Sequence, residues 1–513
     1  MRSATAARPS LGRNIATTYA SQLVTALSQF LLFPVVVAAV GTDAYGLYIL
    51  ASTMLVLATQ DLGMAGATSR YVAEALARKD VAALRSVVAT SSAFFCALGL
   101  VGAGIVGLAY VVLRPLVDIP PGLEDTARGL AVLAAVQVVA ASGATLNRFV
   151  LTGGGRLDLA NGTAVTTILV RLGVTLMVVQ VSQDILVVAA SDTVIMLATT
   201  LTLWLLRRHA LPESRSRLRE SSIAQLRVMS RLTVDLLVVG LSGTIIMQTG
   251  TVLVSTLLPI AAVSVFAAGF RIYRLCKDVT NALGTAVLPH ATTAFVRGDD
   301  VALRRLYLSA SRRANVLALC IAGPVIAFGQ AFLAWWLGAG WEDSATVATI
   351  LVISLLANNN HLVALPILAG QGSVRSYARL HVAWALSSIA LGIVLTPPLG
   401  VIGTAVAIAA PVVVLEPVYT GIALRRLQLG WGAFFRENAA RSFGTGVPAV
   451  VVGVVLARVW PADGIVEIAA RSLGWVVAYL ALYVWLGATA GDRELLARVA
   501  ARRRVRASAT SQR

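Results

Sequence analysis

The chain has 513 residues, of which 58% are hydrophobic and only 13% charged, with a mean hydropathy of +0.81. A soluble domain carries about 25% charge and its core stops growing near about 300 residues, so the composition points to a bilayer. The formal net charge of +18 would suggest nucleic acid in a soluble protein. Lys and Arg collect on the cytoplasmic loops of membrane proteins, however, and no zinc-ligand, RNA-binding or basic-zipper spacing is present, so no nucleic acid partner is expected.

Apolar blocks of about 20 residues, the length that crosses a bilayer, recur along the chain and predict fourteen transmembrane helices. The first six lie near 14–40, 45–67, 86–112, 128–150, 160–180 and 185–206. The next six lie near 231–257, 261–290, 311–337, 345–369, 376–396 and 400–424, and two more near 442–460 and 467–489. The first follows Arg2, Arg8 and Arg13 and is too long for a signal-peptide core, so it reads as a retained helix. Cys96, Cys276 and Cys320 fall inside apolar blocks; an odd number placed this way argues against a disulfide framework.

Loop charge supports the count. With the N-terminus in the cytoplasm, 34 of the 42 Lys and Arg fall on cytoplasmic segments. Only Arg114, Arg128, Arg458 and Arg471 fall on the opposite side. One missed span would invert every later loop, so the asymmetry favours fourteen spans with both termini cytoplasmic.

The chain also repeats itself. Leu151-Thr152-Gly153-Gly154-Gly155 closes one span and Leu368-Ala369-Gly370-Gln371-Gly372 closes another, 217 residues later. Asp61 and Asp278 share that offset, and the run starting at Lys79-Asp80-Val81 returns as Asp299-Asp300-Val301 at nearly the same one. Parallel repeats of this kind are a transporter architecture. The expected organisation is an N-terminal lobe at 1–210, a basic cytoplasmic linker at 211–230, a C-terminal lobe at 231–424, and two further spans with a basic tail at 425–513.

Ionisable groups inside the spans mark the candidate site, because they are costly in hydrocarbon and face a cavity or a partner. They are Arg171 in span 5, Asp192 in span 6, Asp235 in span 7, the cluster Arg271, Arg274, Lys277 and Asp278 in span 8, and Glu416 in span 12. Arg271 and Arg274 are three apart and share a helical face. A central Arg costs about 2.5–3.5 kcal/mol even on a lenient scale, so three cations need water, acids or an anionic ligand. Asp278 can pair with Arg274, leaving a cationic surplus. Arg271, Arg274, Lys277 and Arg171 are therefore the candidate substrate-binding residues, since an Arg fork binds phosphate oxygens bidentately. Structural ion pairs with the acids are the competing reading. For Asp192, Asp235, Asp278 and Glu416 the choice lies between structural pairing and ion coupling. His209, His290, His361 and His381 have no metal spacing with another His or Cys. No metal or other cofactor, and no catalytic residue, is expected. His361 follows Asn358-Asn359-Asn360, a polar run expected to line a cavity.

Tyr45-Gly46-Leu47-Tyr48 opens span 2, Asp61-Leu62-Gly63 closes it, and Arg70-Tyr71 begins the next basic loop. With the glycine elements at 151–155 and 368–372, the chain resembles the oligosaccharide flippases, or polysaccharide biosynthesis proteins. Their superfamily also contains the multidrug and toxin extruders and the lipid II flippases. The resemblance implies an all-α integral membrane fold, with two pseudo-twofold six-helix lobes around a central cavity and two appended C-terminal helices. It implies a bacterial inner-membrane flippase for an undecaprenyl diphosphate-linked oligosaccharide, working among membrane lipids and alongside polysaccharide assembly machinery. A multidrug extruder and a membrane glycan-modifying enzyme remain the alternatives.

Overall fold

The structure is a computed structural model and describes residues 28, 30–230, 234–371, 374–462 and 464–494, with backbone alone at 230, 234–236, 282–286, 288, 289 and 370. The beginning of the first expected span and the basic tail beyond 494 lie outside the described residues. Among the described residues every regular element is helical. In chain order they are α1 (Phe30–Val40), α2 (Thr42–Ala58), α3 (Met64–Ala77), α4 (Val81–Leu113), α5 (Glu124–Gly153), α6 (Leu157–Val181), α7 (Ile185–Ala210), α8 (Ile223–Ser230), α9 (Val234–Leu257), α10 (Ala261–Val296), α11 (Asp300–Leu337), α12 (Glu342–Gly370) and α13 (Arg375–Arg426). They end with α14 (Trp431–Val459) and α15 (Ile465–Gly487).

Ten of these helices are long and apolar enough to cross a membrane. One of them, α13, is two helices joined at Gly400, whose φ of 60° and ψ of −146° are not helical. Glycine adopts such a conformation without a Cβ penalty, and Thr396 and Thr404 hydrogen-bond across the bend at 2.9 Å. With the shorter apolar helices α1 and α2 and the charged α10, the fourteen expected spans each have a helical counterpart. Large apolar side chains point outward along them, including Leu108 and Val112 of α4, Val451 and Val455 of α14, and Leu473 and Val477 of α15. Such faces suit lipid tails, where an apolar surface carries no penalty.

Span 2 differs from its sequence reading. The chain breaks after Ala58 and restarts as α3 at Met64. Leu62 and Gly63 both have positive φ, 54° and 78°. The Asp61 carboxylate accepts from the backbone N–H of Gly63 at 3.2 Å and of Ala65 at 2.8 Å. This local bonding outcompetes helix continuation at the membrane edge.

The chain divides into two compact units, residues 1–268 with 381–404 and residues 269–380 with 405–513. In the first, α3, α4 and α5 pack around Val72, Leu84, Val88, Phe95, Val150 and Met229. The Leu151–Gly155 element has a steric reason here. A Cβ on Gly153 would stand 2.4 Å from the Ser69 carbonyl oxygen of α3, and Gly155 has φ +75°.

In the second unit α11 is central, packed against α12, α14 and α15. Leu319, Phe328, Ile468, Trp475, Tyr479 and Tyr483 form its core. The corner entering α11 repeats the one entering α4. Asp80 caps α4 by accepting from Ala83 N at 2.9 Å, after Lys79 at φ 56°. Asp299 caps α11 by accepting from Ala302 N at 2.8 Å, after Gly298 at φ 68°. Asp80 and Asp299 thus cap their helices in the same way. Asp61 lies in the break between α2 and α3, whereas Asp278 lies inside the continuous helix α10.

Candidate functional site

Polar side-chain assemblies lie within each of the two units. In the first unit, Tyr48 of α2, Arg171 of α6 and Asp192 of α7 meet. Arg171 pairs with the carboxylate: Nη2 donates to Oδ2 at 2.8 Å, and Nε lies 2.7 Å from Oδ1. Nη2 also donates to the Tyr48 hydroxyl at 2.8 Å, and that hydroxyl donates to Oδ2 at 2.5 Å. A hydrogen bond between ionised partners is stronger than one between neutral groups. Asp192 is buried and Arg171 about half exposed, at 9% and 48% of their side-chain surface. The charges cancel, so the Arg171 guanidinium is already engaged.

In the second unit, α10 segregates its residues around its axis. Ile272, Tyr273, Cys276 and Thr280 are buried. Arg271, Arg274, Lys277 and Asp278 occupy the remaining arc, as 100° per residue requires. Arg274 and Asp278 are exposed, and Arg271 and Lys277 half-buried. The Lys277 ammonium stands 6.0 Å from the centre of the Tyr273 ring. Asp278 is within electrostatic reach of both Arg274 and Lys277. The arc therefore holds three cations against one carboxylate.

Deeper in the same unit, Glu416 of α13 meets three polar groups on two helices. His361 Nδ1 of α12 lies 2.7 Å from Oε2, the His361 backbone N–H donates to Oε1 at 3.1 Å, and Thr420 donates to Oε1 at 3.3 Å. The imidazole stacks on Tyr419, with ring centres 4.4 Å apart, and stands edge-on to Tyr377 at 6.4 Å. The adjacent asparagines do not line an open space. Asn358, Asn359 and Asn360 are buried. Asn359 and Asn360 join Asn315 of α11 and Asn438 of α14 in an amide network with contacts of 3.0–3.3 Å.

A clasp closes the C-terminal end of the unit. Buried Asp492 accepts from Arg312 Nε at 2.9 Å, Arg313 Nε at 3.2 Å, Tyr483 at 3.1 Å and Thr489 at 2.7 Å. Arg312 also donates to the Glu437 carbonyl at 2.9 Å, in a π turn at Phe435–Ala439. Burial alone would raise the Asp492 carboxyl, but the Arg312 and Thr489 hydrogen bonds outweigh it and hold the group well below the usual carboxylate range.

The structure thus brings Arg271, Arg274, Lys277 and Asp278 together on one arc, and places Arg171 with Asp192 elsewhere, in the other unit. Asp235 belongs to α9, and its side chain lies outside the described residues. Sequence reading passed over Tyr48, His361, Asn438 and Asp492 as site components. A hydroxyl, an imidazole or an amide in an otherwise apolar helix was the available signal, but their partners lie 55 to 180 residues away.

Comparison with known proteins places this geometry in a family. The polysaccharide biosynthesis protein family matches residues 11–295. No curated protein matches the chain. Among solved structures, an inward-facing multidrug resistance MATE family transporter of the MOP superfamily superimposes with a TM-score of 0.67 at 16% identity, over 79% of this chain and 94% of that one. The lipid II flippase MurJ in an inward closed conformation gives 0.68 at 13% identity, over 91% and 97%. An outward-facing MATE transporter gives 0.59 at 17% identity, over 82% and 97%. At such identities these likenesses speak for the fold. The chain is a multi-pass membrane protein with the fold of the MOP-superfamily transporters, and it belongs to the polysaccharide biosynthesis protein family.

Proposed function

We propose that this chain is a flippase that carries an undecaprenyl diphosphate-linked oligosaccharide from the cytoplasmic to the outer leaflet of the bacterial inner membrane by alternating access. The observation that carries the reading is the arc of α10. Arg271, Arg274 and Lys277 share one face of a membrane span, a placement that suits an anionic ligand. A diphosphate supplies several acceptor oxygens, and the Arg271 and Arg274 forks suit them better than an ammonium would. Lys277 adds a third charge. Arg171 joins only if Asp192 and Tyr48 release it. Asp192, Asp235, Asp278 and Glu416 act as pairing or coupling groups.

An inside-negative potential of 100 mV favours outward movement of each net negative charge by about 2.3 kcal/mol, so voltage assists such a substrate. The superposition on MurJ, a lipid II flippase, takes in more of this chain than that on either MATE transporter, which supports a lipid-linked substrate. A drug extruder for cationic compounds would favour an acidic arc. Repeated corners at Asp80 and Asp299 support lobes at 1–210 and 231–424, joined by a basic linker at 211–230. Residues 425–513 would add two spans and a tail for contact with assembly machinery, with both termini cytoplasmic.

The test is reconstitution in vesicles with a labelled lipid diphosphate oligosaccharide shielded inside. We expect protein-dependent access of an external, impermeant glycosidase to the sugars, lost in Arg271→Ala/Arg274→Ala. Access retained by the double variant overturns the site. No access under any imposed gradient or voltage overturns the function.

A further inference from the structure

The segment between α7 and α9 is basic, yet it is anchored rather than loose. The backbone N–H of Ser222 donates to the Thr90 hydroxyl of α4 at 3.1 Å. Met229 is buried in the core that holds Leu84, Val87 and Phe95 of α4, and Leu211 and Leu226 pack against that core. Thr90 stands nine residues beyond Val81, the start of α4, about 14 Å along the helix axis. Ten residues further on, Leu100 is 64% exposed and belongs to the apolar, lipid-facing surface of α4. The segment is therefore fixed where the apolar surface gives way to the polar end of the helix, at the depth of lipid headgroups.

α8 divides its residues by face. Leu226 and Met229 turn to the core. Ile223, Ala224, Arg227 and Val228 share the opposite arc, as 100° per residue requires, and all four are exposed. Ile223 is 78% exposed, Val228 48%, and Leu218 just before the helix 60%. Around them Arg215, Arg217, Arg219 and Arg227 are exposed, against two acids, Glu213 and Glu220. Apolar side chains set among arginines suit a membrane surface, where the first sink to the acyl boundary and the second meet phosphates.

We propose that residues 211–230 bind the bilayer surface, with Leu218, Ile223 and Val228 inserted among the headgroups and the four arginines on the phosphates of anionic phospholipids. The basic excess selects the occupant, and the anchor to α4 sets its depth. In the orientation proposed above this is the cytoplasmic leaflet, from which the lipid-linked substrate is drawn; the binding itself is independent of that reading.

The experiment uses the full chain with Cys96, Cys276 and Cys320 replaced by Ala, carrying a nitroxide on Ile223→Cys or Val228→Cys. Nanodiscs are made of phosphatidylcholine alone or with phosphatidylglycerol. With phosphatidylglycerol, either nitroxide should be reached by oxygen more than by a water-soluble nickel chelate, and rising salt should reverse the shift. Arg215→Gln and Arg219→Gln should each raise the phosphatidylglycerol fraction needed for half of that shift by up to about fivefold. A nitroxide open to the nickel chelate in both membranes overturns the proposal. So does one shielded from both agents, the sign of a protein partner or a second copy. Equal embedding in the two membranes also overturns it, because the arginines then select nothing.

Discussion

Replacing Asp192 by Asn removes the charge that balances Arg171. The guanidinium keeps the Tyr48 hydroxyl as an acceptor, but a cation in the membrane is left without its counter-charge. Removing one partner of a fully buried pair costs about 3–5 kcal/mol. Arg171 is half exposed along its side chain, so screening reduces the expected cost to about 1–3 kcal/mol. Thermal unfolding in nanodiscs should register this as a fall in Tm of about 2–6 °C. The double variant Arg171→Met/Asp192→Leu removes both charges and leaves only the Tyr48 hydroxyl short of a partner. It should recover more than half of the loss, because an apolar pair of similar size replaces a buried ion pair at little cost. A double variant whose loss equals the sum of the two single ones would refute the reasoning, showing that the triad acts through packing alone.

Asp492→Ala leaves Arg312 buried without its carboxylate, and we expect a loss of about 3–5 kcal/mol, read as a lower Tm and faster proteolysis near the C-terminal end; Asp492→Asn should cost less. The Asp492 carboxyl is held below its ordinary value, so the stability it adds is present above the unfolded-state value, near about pH 4, and is lost only as pH falls through the lower folded-state value. Acidification to about pH 4 should therefore leave the clasp closed, as measured by the exposure of Tyr483 to a water-soluble quencher. Gly153→Ala drives a Cβ to 2.4 Å from the Ser69 carbonyl and should destabilise by about 1–3 kcal/mol. Gly155→Ala meets no neighbour but must adopt φ +75°, and should cost about 1 kcal/mol.

The membrane class, the helix spans and the α10 cations were legible in the sequence because each is a local property. Hydropathy over twenty residues finds a span, and three cations at helical spacing need no partner to be noticed. The break between α2 and α3 was hidden because Asp61-Leu62-Gly63 adds only a short polar signal to an apolar run. The deeper assemblies were hidden for a different reason. Tyr48 finds Asp192 across 144 residues and Arg312 finds Asp492 across 180, and no periodicity encodes such pairings. His361 had looked like a lone histidine after a polar run, and only the fold brings Glu416 to it. The asparagines had suggested a cavity wall, yet Asn315, Asn359, Asn360 and Asn438 hydrogen-bond to one another in the interior.

The most direct test of the account is the structure of the full chain with an undecaprenyl diphosphate oligosaccharide bound in nanodiscs. The account predicts density for the diphosphate within hydrogen-bonding distance of Arg271 and Arg274, with Lys277 beside it and the Arg171–Asp192 pair intact. Phosphate density away from α10, with Arg271 and Arg274 turned instead to acidic side chains, would contradict it.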